Sequence, residues 1–133
     1  MKPRWGLALL LVAGCATWHQ LRPLTENNVE VGQLTLWVKN ARYAESGGRL
    51  LLEVQLDNRT NQPQQFDTRW IELRGASGTL YQSETVRPPL TGSVAPLTRL
   101  PLSYVFRHIP PQELTQATMM VAGTATMEFG GFY

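Results

Sequence analysis

Residues 50–66 decide the fold: Leu50-Leu51-Leu52-Glu53-Val54-Gln55-Leu56-Asp57-Asn58-Arg59-Thr60-Asn61-Gln62-Pro63-Gln64-Gln65-Phe66. Leu50, Leu52, Val54 and Leu56 recur with period two, and Glu53, Gln55 and Asp57 fall between them. Successive side chains of a strand leave opposite faces, so this is a strand with one apolar and one polar face. Asn58 to Pro63 ends it. Asn tolerates left-handed backbone angles and Pro lacks a donor, so the segment reads as a turn. Gln64 to Thr68 then forms a short strand with Phe66 inward.

The same period extends both ways. Upstream, Leu34, Leu36 and Val38 share a face, and Ser46-Gly47-Gly48 links that strand to the next. Downstream, Ile71 and Leu73 share a face, and Gly75-Ala76-Ser77-Gly78 turns the chain into Thr79 to Gln82 as a hairpin. Arg87 to Pro96 is rich in Pro and Gly and reads as a loop. Leu100, Leu102, Tyr104 and Phe106 alternate, with Pro101 on the other face, which suits a strand start or an edge. Ile109 to Leu114 resembles a connecting turn with room for one helical turn. Thr118 to Phe129 forms the last strand, with Met119 and Val121 inward and a break at Gly123. No segment carries a helical stripe longer than two turns. These features predict an all-β chain, an immunoglobulin-like antiparallel β-sandwich of about seven strands spanning residues 32–133. Its core is expected to include Leu36, Leu52, Val54, Leu56, Phe66, Leu102, Tyr104 and Phe106.

The N-terminus is of another kind. Met1-Lys2-Pro3-Arg4 is basic, and Trp5 to Ala13 is a run of nine apolar residues, well short of the roughly 20 a membrane-spanning helix needs. Val12-Ala13-Gly14 then precedes Cys15, the single cysteine. This resembles the signal peptide and lipobox of bacterial lipoproteins. The resemblance implies that residues 1–14 are removed and that Cys15 is lipidated, the covalent lipid being the one attached group expected. Two or more acyl chains suffice for stable anchoring on a membrane. The residue after Cys15 is Ala16 and not Asp, which in that family favours the outer membrane, with the domain on its periplasmic face. Residues 15–31 show no sustained periodicity and are expected to form a flexible tether reaching roughly 50 Å when extended.

A second resemblance covers about residues 32–126. The strand ending Leu56-Asp57-Asn58 and the turn Arg59-Thr60-Asn61-Gln62-Pro63 carry it first. Ile71-Glu72-Leu73-Arg74, Gly78-Thr79-Leu80-Tyr81, Leu102-Ser103-Tyr104-Val105-Phe106 and Ile109-Pro110 follow. Together they look like the telokin-like, immunoglobulin-like domains of bacterial lipoproteins of unknown function. The resemblance implies a fold and no catalytic residues.

Charge narrows the partner class. The chain has 12 basic and 10 acidic residues. Lys2 and Arg4 lie in the segment expected to be removed, which leaves ten of each sign and a formal charge of zero. Lys39 is the one lysine after Cys15, and no basic cluster marks a nucleic-acid surface, so none is expected as partner. Histidine is limited to His19 and His108, and the folded region holds no cysteine, so no His/Cys metal site can be assembled. His108 reads as a turn residue. Met119, Met120 and Met127 read as packing residues. Asp57 and Asp67 flank the polar turn and read as solvated turn residues in preference to a calcium site. No metal or catalytic residue is assigned.

Aromatic residues are the surplus. Trp37 and Trp70 alternate away from the inward faces of their strands and are expected to share an outer face as an apolar patch. Phe132 and Tyr133 follow Gly130-Gly131 and are expected to join the binding surface. The leading expectation is a lipid-anchored, non-enzymatic envelope lipoprotein whose sandwich binds another envelope protein. Two alternatives are a periplasmic small-ligand or metal-binding module, marked by a large closed apolar pocket, and a cell-wall hydrolase, marked by a cleft with His108 beside a carboxylate.

Overall fold

The residues that alternate along the sequence become paired strands in the computed structural model, which describes residues 18–23, 27–89 and 91–132. Among these lie twelve strands: β1 (Trp18–Pro23), β2 (Asn28–Val31), β3 (Leu34–Ala44), β4 (Arg49–Asn58), β5 (Gln64–Asp67), β6 (Ile71–Arg74), β7 (Leu80–Gln82), β8 (Thr85–Arg87), β9 (Thr91–Val94), β10 (Thr98–Phe106), β11 (Ala117–Val121) and β12 (Thr124–Phe132). Every pairing is antiparallel. Three short 3-10 segments, Ser46–Gly48, Thr68–Trp70 and Pro111–Gln116, serve as connections.

The strands form one ladder, β7-β6-β11-β12-β1-β3-β4-β10-β8, in which β1 joins two sheets, β3-β4-β10-β8 and β7-β6-β11-β12, while β5 and β9 form a separate pair. The chain enters the first sheet at β3 and β4, crosses to β6 and β7, returns for β8 and β10, and crosses again to β11 and β12. This is the Greek-key order of an immunoglobulin-like sandwich, with β3, β4, β10 and β8 in the places of strands A, B, E and D and β6, β7, β11 and β12 in those of C, C′, F and G. All eight expected core residues are buried. Met119 and Met127 face one another across the β11–β12 ladder and are buried with Met120, as packing residues. Pro101 pairs with β4 on one side, while β8 covers only Ser103 to Val105 on the other, so the missing N–H of Pro101 falls where the second edge is open.

Four strands, β1, β2, β8 and β9, lie where the sequence pattern predicts none. Residues 15–31 are not all tether: β1 pairs with both β3 and β12, and β2 pairs with β3. Leu21 is 2% exposed and belongs to the core. In β1 a single inward apolar side chain gives no periodicity to read, and one of its partners, β12, lies far along the sequence; β2 offers only Val29 and Val31. Within the expected loop 87–96, β9 is a strand that pairs with β5, and β8, which pairs with β10, ends on the loop's first residue, Arg87. The expected last strand is two, β11 and β12, reversed at Ala122-Gly123, both with positive φ. The Gly130-Gly131-Phe132 tail is part of β12, where Phe132 lies opposite Leu21.

One side chain fixes the end of the sandwich where β4 stops. Asn58 is 2% exposed. Its amide donates to the carbonyls of Gln62 at 2.9 Å, Val94 at 3.1 Å and Ala95 at 3.0 Å, and its Oδ1 accepts from the Thr60 N–H at 3.0 Å and hydroxyl at 2.7 Å. It therefore ties the β4–β5 turn to the end of β9. Asn58→Ala would strand several buried backbone groups, so urea unfolding should show a loss of about 3 kcal/mol. A loss under about 0.5 kcal/mol, the usual range for a featureless surface position, would mean that the turn holds itself.

Candidate interaction surface

The outer face of the β3-β4-β10 sheet is built by the residues that alternate with the core. Register aligns Trp37 with Gln55 and Pro101, Asn40 with Glu53 and Ser103, and Arg42 with Leu51 and Val105. Trp18 of β1 stands opposite Ala44, which stands opposite Arg49, so Trp18 joins the same face. The Trp18 ring has the Arg42 guanidinium carbon 5.5 Å and the Arg49 guanidinium carbon 5.2 Å from its centre. Trp37 has Lys39 Nζ at 5.6 Å from its ring centre. These distances fall within cation–π range.

A polar chain crosses this face. Gln20 Nε2 donates to Asn40 Oδ1 at 2.6 Å, Asn40 Nδ2 donates to Glu53 Oε1 at 3.3 Å, and Arg42 lies 3.6 Å from Glu53. Two donors are left over: Trp37 Nε1 and Arg42 Nε are turned away from water and have no hydrogen-bond partner. The β3–β4 register slips between Val38 and Asn40, a bulge that sets Lys39 out at the edge. A small cavity of about 150 Å³ opens beside it, lined in part by Gln20, Asn27, Lys39 and Asn40.

The structure does not bring Trp37 and Trp70 together. Trp37 lies on the outer face as expected and is half-buried. Trp70 ends the Thr68–Trp70 turn and packs against the core, edge-on to Phe66 at 5.3 Å between ring centres. The 3-10 turn resets the alternation just before β6, so strand-like facing does not carry back from Ile71 to Trp70. Phe132 pairs its backbone with β1, and Cys15 and Tyr133 lie outside the described residues. Trp18 is the residue that sequence reasoning missed; at 38% exposure it stands out among the tryptophans described.

The other sheet carries a cavity of about 300 Å³, lined by Arg74, Gly75, Thr118, Glu128 and their neighbours. Arg74 and Glu128 flank Thr118 across the ladder. Exposed Ala76, Gly78 and Glu128 at its rim make it an open polar hollow, at the lower bound of ligand-pocket volumes. His108 lines neither cavity and sits exposed in the turn after β10 with φ 61°. Asp57 accepts from Gln55 and lies 3.8 Å from both Arg59 and Arg99, while Asp67 holds Arg69 at 2.8 Å. Among the described residues no group of three or more His, Cys, Asp or Glu could hold a metal ion.

Glu113, in the connection before β11, was not singled out by sequence reasoning; its signal is a set of partners distant in sequence. It is buried, and its carboxylate accepts from the Ser77 N–H at 2.9 Å, the Ser77 hydroxyl at 2.8 Å and the Tyr81 hydroxyl at 2.7 Å. Its backbone carbonyl accepts from Ala76. Gly75 permits this packing, since a Cβ there would stand 2.7 Å from the carboxylate. The Tyr81 hydroxyl bond, followed by those from Ser77, holds the Glu113 carboxyl below its ordinary range, and the same bond pushes the Tyr81 phenol up to about 12. The cluster pins the β6–β7 turn to the connection before β11.

No family model, curated protein or solved structure matches the chain.

A carboxyl lowered on folding stabilises fully above its unfolded value and loses that contribution as pH falls through the folded one. Thermal melts from pH 7 down to about pH 3, below the ordinary Glu value, should therefore show a steeper fall for the wild type than for Glu113→Gln, which starts lower at pH 7. Parallel curves would mean that the carboxylate contributes nothing through its charge.

Proposed function

We propose that this chain is a lipid-anchored cell-envelope lipoprotein whose β-sandwich is a non-enzymatic interaction module, held on the periplasmic face of the outer membrane and contacting another envelope protein. The Val12-Ala13-Gly14-Cys15 run behind a basic, apolar leader supports the anchor, and the resemblance to telokin-like lipoprotein domains supports the class. One observation carries the interaction reading: the β3-β4-β10 outer face holds half-buried Trp37 with its indole N–H unpaired and, further along the same strand, Arg42 with its Nε unpaired. A buried donor without an acceptor costs about 1–3 kcal/mol. A partner carbonyl or carboxylate reaching that donor after a small side-chain shift would recover it, and a buried Trp is the usual anchor of such contacts.

Two substitutions test the two halves. Cys15→Ser should abolish acyl labelling and release the protein from carbonate-washed membranes; retention would sink the anchor. Trp37→Ala should remove the proteins crosslinked to the lipidated wild type in intact envelopes while the melting temperature changes little. Unchanged crosslinks in a folded variant would place the contact elsewhere.

A further inference from the structure

Only Ala16 and Thr17 separate Cys15 from the first residue of β1. The expected tether reached roughly 50 Å, whereas three residue steps span at most about 11 Å. If Cys15 carries the lipid, its backbone sits at the headgroup layer, and covalent geometry holds Trp18 within or beside that layer.

Trp18 lies at one end of the sandwich. The Ser46–Gly48 turn and the Ile109 connection meet there, with Gly48 packed so closely on Ile109 that a Cβ would stand 2.6 Å from its backbone. The Ile109 N–H also donates to Gly48 O. β12 runs antiparallel to β1, and Phe132 opposite Leu21 brings the chain's last residues toward the same end. The Asn58 turn and the exposed Leu97 lie at the other.

Trp18 is partly exposed and its ring is flanked by the Arg42 and Arg49 guanidiniums. Arg42 has one nitrogen near Glu53, and Arg49 Nε reaches Ser46 O at 3.4 Å. Indoles concentrate at membrane interfaces, because the ring is apolar and its N–H is polar. Guanidiniums donate in parallel pairs to phosphate oxygens. From this geometry we infer that the Trp18–Arg42–Arg49 cluster docks into the phosphate-bearing headgroup layer of the bilayer that holds the anchor. The inference rests on the lipoprotein reading. Its consequence is orientation: the domain stands end-on at the membrane, with the Asn58 turn pointing away and the Trp37 face running up its side.

The test uses the full chain as extracted from membranes, reconstituted in phosphatidylethanolamine–phosphatidylglycerol vesicles containing acyl-brominated lipid. The mass of the N-terminal peptide reports the acyl chains, and indole emission reports depth. Trp37→Phe/Trp70→Phe leaves Trp18 as the only tryptophan after Cys15, and its emission should be blue-shifted and largely quenched. Trp18→Phe should lose most of the quenching seen in the wild type. Arg42→Gln/Arg49→Gln should reduce the quenching and remove its dependence on phosphatidylglycerol. Unquenched Trp18 in acylated protein overturns the docking and leaves the anchor standing. A missing acyl mass overturns the anchor; quenching that persists in that protein supports the docking by itself, and its absence overturns both. Quenching of Trp18 unaffected by the arginine substitutions overturns the phosphate contact.

Discussion

β1 hydrogen-bonds to β3 along one side and to β12 along the other, and the remainder of the arrangement depends on that shared strand. A sandwich of two separate sheets is held by side-chain packing alone. Here the backbone ladder is continuous around one edge, and Leu21 fills the junction. Closure there removes two open edges that would otherwise invite pairing with other chains. It also commits the segment that starts at Trp18 to the fold, so that a strand stands where a tether was expected, two residues after Cys15.

Polar side chains secure the two ends of the sandwich. Asn58 ties the β4–β5 turn to the end of β9, and Glu113 ties the β6–β7 turn to the connection before β11. Each gathers backbone groups from segments more than 30 residues apart. A buried polar group stabilises only when its bonds are complete, and both are nearly fully bonded. Trp37 Nε1 and Arg42 Nε are unlike them, which is why the outer face of β3 draws the interaction reading rather than the turns.

Much of the fold was legible in the sequence where one face of a strand meets the core and the other meets water. Residues 50–56 alternate cleanly because β4 lies between β3 and β10 with its odd-numbered face outward. The rest failed for identifiable reasons. β1 offers one inward apolar residue, and β9 reads Thr91-Gly92-Ser93-Val94, so neither has a pattern; long-range pairing makes both. Trp70 was read as strand-like although the 3-10 turn before β6 changes its facing. For the site, Trp37 was placed correctly on the outer face. Trp18 was passed over because its segment looked structureless. Glu113 was passed over because its meaning lies in Ser77 and Tyr81, more than 30 residues away.

The central claim is that residues 18–21 form a structural strand shared by both sheets. Amide hydrogen exchange tests it most directly. A strand locked into the core opens only with large-scale unfolding, whereas a tether exchanges almost freely. Backbone amides within His19–Leu21 that bond to β3 or β12 should exchange as slowly as those of β3 and β4. Exchange of all of them at the rate of an unstructured chain, while β4 stays protected, would contradict it.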